Sequence, residues 1–177
     1  MTHLILERAF DPPRSLAEVH ESIRGSGWCF DLYQVAWQGS FLSADGRTMV
    51  CSFVAPDVES ARVALRKTGA DTRRLWAASV HDAPAPGNPN VIVERSFPAP
   101  DTFERLKAIV DTKAWCLEQH RVNWARSFLS TDGRRMLCFY GAPDAESVRL
   151  AQREAELPVD TVWGFQRIGL DTIPSSP

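Results

Sequence analysis

The chain is poor in several things at once. It has only four cysteines and two tyrosines in 177 residues, and no apolar run approaching the length of a membrane helix. A helical span needs about 20 mostly apolar residues, so none is expected. The opening MTHLILERAF lacks the charged-then-apolar order of a secretory signal. The expected location is therefore cytoplasmic, and the cysteines are expected as reduced thiols rather than disulfides. Basic excess is absent too: 20 Lys and Arg against 22 Asp and Glu leave a net charge of −2. General nucleic-acid binding is thereby disfavoured, because such binding neutralises phosphates with surplus cations. No nucleophile elbow, phosphate-binding glycine loop, dinucleotide fingerprint or paired-cysteine zinc motif occurs.

What the chain does have is internal repetition. Residues 4–81 align with 91–168 without a gap, with roughly a third of the paired positions identical. FLSADGR at 41–47 returns as FLSTDGR at 128–134, and APDVESAR at 55–62 returns as APDAESVR at 142–149. Two repeats are expected, 1–81 and 91–169, joined by a linker at 82–90 and followed by a tail at 170–177 that frays. Units of about 80 residues make marginal cores alone, so the two are expected to pack together.

Each repeat reads as strand, helix, strand, strand, helix, strand. The first strands are His3–Phe10 and Val91–Phe97. Ser15 with Glu18, and Asp101 with Glu104, have capping-box spacing. Phe103, Leu106, Val110 and Leu117 fall at helical spacing in one apolar stripe. The first repeat carries Gly25-Ser26-Gly27 at the matching place, and a kinked or shortened helix is expected there. Asp45-Gly46 and Asp132-Gly133 mark two-residue hairpin turns, and Asp57 and Asp144 are expected N-caps. This βαββαβ plan is ferredoxin-like, with the helices on one face of an antiparallel sheet. The expected fold class is α+β: tandem ferredoxin-like repeats packed sheet to sheet as an intrachain dimeric α/β barrel.

A two-residue turn at Asp45-Gly46 sets Leu42 opposite Met49 and Ser40 opposite Cys51. Alternation then puts Ser40, Leu42, Met49, Cys51 and Phe53 on the helix-covered face, and Trp37, Phe41, Val50 and Ser52 on the other. The same phasing in the second repeat groups Trp124, Arg126, Phe128, Leu137 and Phe139, with Val122 and His120 extending the row. An aromatic face with an embedded arginine suits a ligand pocket between the sheets; an inter-sheet core is the alternative. Glu7 and Glu94 sit in mid-strand and are expected to face the same cavity, or to be held by a structural arginine. His120, with Cys116 four residues before it, could offer a transition metal two donors; a helix-end histidine beside a half-buried cysteine is the alternative.

Glu-Arg-x-Phe (7–10 and 94–97), His120-Arg121-Val122-x-Trp124, Ser130-x-Asp132-Gly133-Arg134, Cys138 and Ala142-Pro143-Asp144-Ala145-Glu146 together resemble a family of small bacterial ferredoxin-like proteins named after a nickel-binding member. The resemblance covers both repeats and is stronger in the second. It implies a dimeric α/β barrel, here fused in one chain, and nickel or another divalent metal held partly by histidine. Tyr33 stands where the second repeat has His120, so a symmetric site would lose a ligand there.

The expectation is a binding protein for a small ligand or a divalent metal. Its single asymmetric site would lie in the inter-sheet cavity near the second repeat, using Glu94, His120, Trp124, Arg126 and Phe128 with Glu7 and Trp37. His120 and Cys116 would be the metal donors. The alternative is a cofactor-independent monooxygenase or isomerase acting on an aromatic or quinone-like substrate, a reading by fold analogy. The chain would work as a pseudo-dimeric monomer or as a homodimer.

Overall fold

The computed structural model describes residues 1–24 and 27–169. The described residues form two compact units, one of residues 1–78 with 166–169, the other of residues 79–165.

In the first unit β1 (Thr2–Ala9) leads to α1 (Leu16–Arg24) and α2 (Gly27–Leu32), then β2 (Ala36–Ser43), β3 (Thr48–Ala55), α3 (Val58–Lys67) and β4 (Leu75–Asp82). β1 pairs antiparallel with both β3 and β4, and β2 pairs with β3, giving the order β4-β1-β3-β2. The second unit repeats the plan with β5 (Val91–Ser96), α4 (Phe103–Thr112), α5 (Ala114–Gln119), β6 (Asn123–Ser130), β7 (Arg135–Gly141), α6 (Ala145–Glu154) and β8 (Thr161–Ile168). Its order is β8-β5-β7-β6. Strand ends cross the division, since residues 79–82 of β4 belong to the second unit and residues 166–168 of β8 to the first.

Local chemistry accounts for most element ends. Ser15 and Glu18 close a reciprocal capping box at α1, with Ser15 N donating to Glu18 Oε2 over 2.7 Å and Glu18 N to Ser15 Oγ over 3.3 Å. Asp57 and Asp144 accept from Ser60 N and Ser147 N at the starts of α3 and α6. In the second unit the cap is Thr102, accepting from Arg105 N, and not Asp101. Asp101 instead pairs with Arg105 one turn on, at 2.7 Å. The hairpins have the anticipated register, Leu42 opposite Met49 and Ser40 opposite Cys51. Gly46 and Gly133 sit at φ +69° and +68°, where a Cβ would lie 2.3 Å from the Arg14 carbonyl oxygen and 2.6 Å from that of Asp101. Glycine is required at both turns.

One helix differs from the sequence reading. Phe103 to Leu117 is not a single helix, because the chain breaks at Lys113 between α4 and α5. No glycine lies at that break, so Gly25 and Gly27 are not its common cause; Gly25 and Ser26 themselves lie outside the described residues, as does the tail from 170 onward.

Each sheet has its own helix-side core. The first holds Leu4, Leu6, Leu42, Met49, Cys51, Phe53, Ala61 and Leu65, the second Val91, Val93, Leu106, Met136, Cys138, Tyr140, Val148 and Ala151. All four cysteines are buried free thiols. Burial pushes the Cys51 thiol up to about 11, out of the range in which it would be a nucleophile at neutral pH.

Candidate functional site

The row of candidate ligand-binding residues does not share one face. A β-bulge interrupts β2 between Trp37 and Gly39, and another interrupts β6 between Trp124 and Arg126. A bulge inserts one residue on one strand and shifts the side-chain alternation beyond it. Trp37 therefore lies opposite Phe53, and Trp124 opposite Tyr140, both packed on the helix-side cores. Their indole N–H groups donate to Ser40 Oγ over 3.0 Å and Ser127 Oγ over 2.9 Å. Arg126 and Phe128 keep the opposite face, across from Phe139 and Leu137. Phe128 is buried against Phe139, whose ring also meets Phe165. Arg126 forks onto Asp82, Nε to Oδ1 at 2.5 Å and a terminal nitrogen to Oδ2 at 3.2 Å.

His120 belongs to the helical layer, not to the strand row. It caps the end of α5, and its Nε2 lies 3.1 Å from Glu154 Oε1 of α6 as an ion-pair contact without a directed hydrogen bond. Val122 is in the helix-side core. In the first unit Tyr33 holds the matching place, with the Lys67 ammonium 5.9 Å from its ring. Lys67 corresponds to Glu154, so both partners changed together: tyrosine on lysine in one unit, histidine on glutamate in the other. Cys116 is buried within α5. Among the described residues no group of three or more His, Cys, Asp or Glu could hold a metal ion. His120 and Cys116 thus lack a third donor, and the residues present do not fit a nickel centre.

Glu7 and Glu94 take matched places. Trp76 Nε1 donates to Glu7, and Trp163 Nε1 donates to Glu94, each over 2.8 Å. Glu7 also pairs with Arg74 at 2.9 Å, whereas the corresponding residue beside Glu94 is Thr161. Arg8 and Arg95, next along the strands, line cavities on the helix side.

A cavity of the second unit lies there, under α4. It measures about 250 Å³ and is walled by Phe103, Leu106 and Val110 of α4, by Trp124, Met136 and Tyr140 of the sheet, and by Leu157 and Pro158 after α6. The matching space of the first unit is divided into two smaller cavities of about 40 and about 110 Å³, which share Arg8, Ser22 and Ile23. There Phe30 and Phe53 meet edge to face at 5.7 Å and fill the space.

Arg95 forms the polar end of the larger cavity. It is buried, and donates to the Pro158 carbonyl oxygen, to Gln152 Oε1 over 2.5 Å and to Tyr140 Oη over 3.4 Å. Gln152 Nε2 is buried with no hydrogen-bond partner among the described residues. Burial pushes the Tyr140 phenol up to about 12, against the pull of the Arg95 guanidinium. Because its folded value exceeds the ordinary 10.0, Tyr140 contributes stability that is complete below pH 10 and is lost as the pH rises toward 12. Cys51 contributes in the same sense from 9.0 to about 11. Alkaline unfolding followed by circular dichroism is expected to lose its upper part in Tyr140→Phe while the Cys51 part remains.

Sequence reasoning passed over Arg95, Tyr140 and Gln152. The signal was nonetheless in the alignment of the halves: Phe53 stands for Tyr140, Leu65 for Gln152 and Asp71 for Pro158.

No curated protein matches the chain in sequence. Residues 92–164 match the family described as nickel responsive protein SCO4226-like, a stretch inside the second unit and shorter than half the chain. Among solved structures, chlorite dismutase from Candidatus Nitrospira defluvii in complex with imidazole is similar at a TM-score of 0.53 and 12% identity, over 97% of this chain and 92% of that one. A protein assigned as a chlorite dismutase, TA0507, gives a TM-score of 0.54 at 10% identity over 94% of each chain. A protein from Lactobacillus acidophilus assigned as a monooxygenase gives 0.46 at 10% identity over 94% of each, too low a likeness to argue from. At these identities the likeness shows the fold alone: α+β, an eight-stranded antiparallel dimeric α/β barrel.

Proposed function

We propose that this protein binds a small organic ligand at one working site, the cavity under α4 in the second unit. The carrying observation is the contrast between two units of one plan: one mostly apolar cavity of about 250 Å³ in one, and in the other the matching space split into cavities of about 40 and about 110 Å³. A concave, mostly apolar pocket with a few convergent polar groups is what small-ligand sites share. The first unit, on this reading, is a repeat whose pocket closed and which completes the fold. No inter-sheet residue is needed for this site, since only Trp124 of the earlier candidates lines it.

A thermal-shift panel of phenols, quinones, single-ring acids and their amides tests the reading. At least one compound is expected to raise Tm, and Val110→Trp, which fills the cavity from α4, is expected to weaken that compound more than about a hundredfold, the loss of nearly 3 kcal/mol. A panel without a hit, or a hit that survives Val110→Trp, defeats it.

The family match suggests a second reading, nickel binding by the same unit, which would need donors beyond His120 and Cys116. Elemental analysis of untagged protein separates the two. Stoichiometric nickel lost in His120→Ala favours the metal; nickel-free protein that binds a ligand blocked by Val110→Trp favours the pocket.

A further inference from the structure

We infer that the ligand of the α4 cavity is a small aromatic monoanion, a single-ring carboxylate whose acid group meets the Arg95 guanidinium and whose ring lies among Trp124, Phe103 and Met136. This rests on the pocket reading above and adds the ligand's charge and shape.

The charge argument begins with Arg95. A buried guanidinium is costly unless an anion balances it. Its hydrogen-bond partners are a carbonyl, an amide, a phenol and the Cys138 thiol, and among the described residues no carboxylate pairs with it. Tyr140 cannot supply the charge, because its phenol titrates only at about 12. A guanidinium has five N–H donors in a fixed fork that matches a carboxylate, so these partners do not exhaust it.

The first unit places its matching arginine differently. Arg8 is only half-buried, with its guanidinium 5.0 Å from the Phe10 ring. Asp71 lies near enough for Arg8 to help lower its carboxyl, after the larger effect of Arg73. In the second unit Pro158 replaces that aspartate, Tyr140 and Gln152 replace Phe53 and Leu65, and the cavity opens. The change adds two groups that orient the guanidinium and provides space beside it.

Shape follows from the walls. Phe103 stacks on His81 at 3.8 Å and stands 5.8 Å from Trp124, an aromatic row along one edge of the cavity. At about 250 Å³ the space is below the roughly 300–1,000 Å³ of drug-sized sites, which suits one ring with one acid group.

Calorimetric titration with benzoate and with its neutral counterpart benzamide tests this. Benzoate is expected to bind about tenfold or more tightly, the value of one charge-assisted contact. Gln152→Glu places a carboxylate on the guanidinium, and Arg95→Met removes the cation. Each is expected to bring the two affinities within about twofold, with benzamide still bound. Equal affinities on the unaltered protein, or a preference that survives either variant, overturn the inference and leave the pocket reading standing. If neither compound binds, and no other ring does, both fall.

Discussion

Phe139→Ala is expected to lower the unfolding free energy by about 4 kcal/mol. Phe139 is fully buried and meets two other rings edge to face, Phe128 at 5.7 Å and Phe165 at 5.8 Å. Truncating a buried phenylalanine typically costs about 3–5 kcal/mol through lost transfer and the cavity left behind. Aromatic pairs add about 0.5–1.5 kcal/mol beyond area. The first unit holds Ser52 at the place of Phe139, and Ala78 opposite Phe165 in the alignment. Urea unfolding gives the number; a loss under about 1.5 kcal/mol, the scale of a site that collapses to fill the gap, would show that the three rings are not tightly interlocked.

The second large effect concerns the arginine rather than the rings. Converting Tyr140 and Gln152 to their first-unit counterparts, Tyr140→Phe with Gln152→Leu, strips Arg95 of two acceptors and leaves the Pro158 carbonyl and the weakly accepting Cys138 thiol. Hydrogen bonds to a charged group contribute about 1.5–3 kcal/mol each, and the bond to Tyr140, at 3.4 Å, is the weaker. The pair of substitutions is expected to cost about 3 kcal/mol, dominated by Gln152. Adding Arg95→Met to the same background should recover most of the loss, because the buried charge itself is then gone. If the triple variant is less stable than the double, Arg95 is held by something other than these acceptors, and the account of the site is wrong at its centre.

Much of the fold could be read from residues near one another in sequence. Asp-Gly turns fixed the hairpin register, and Asp57, Asp144 and Ser15 capped their helices, because each acts on backbone a few residues away. The bulges at Trp37 and Trp124 could not be read that way. A bulge is set by how two strands fit against a packed layer, and it leaves no local mark beyond Gly39 in one half and nothing comparable at Arg126. Missing it moved both tryptophans to the wrong face and joined Trp124 with Arg126 and Phe128 in a single row. The Tyr33–His120 difference misled for another reason. It is half of a two-residue exchange whose other half, Lys67 for Glu154, lies on a different helix. The pocket residues escaped notice because Tyr140 and Gln152 look like ordinary strand and helix positions until Arg95 is placed between them.

That exchange also means the halves have stopped being interchangeable parts. A transplant of α5 with its cap His120 into the first unit without α6 would set a histidine against lysine; the reverse graft, α2 with Tyr33, would set tyrosine against glutamate. Helix grafts should therefore succeed as matched pairs and fail singly, so each short helix carries an address legible only to its own partner.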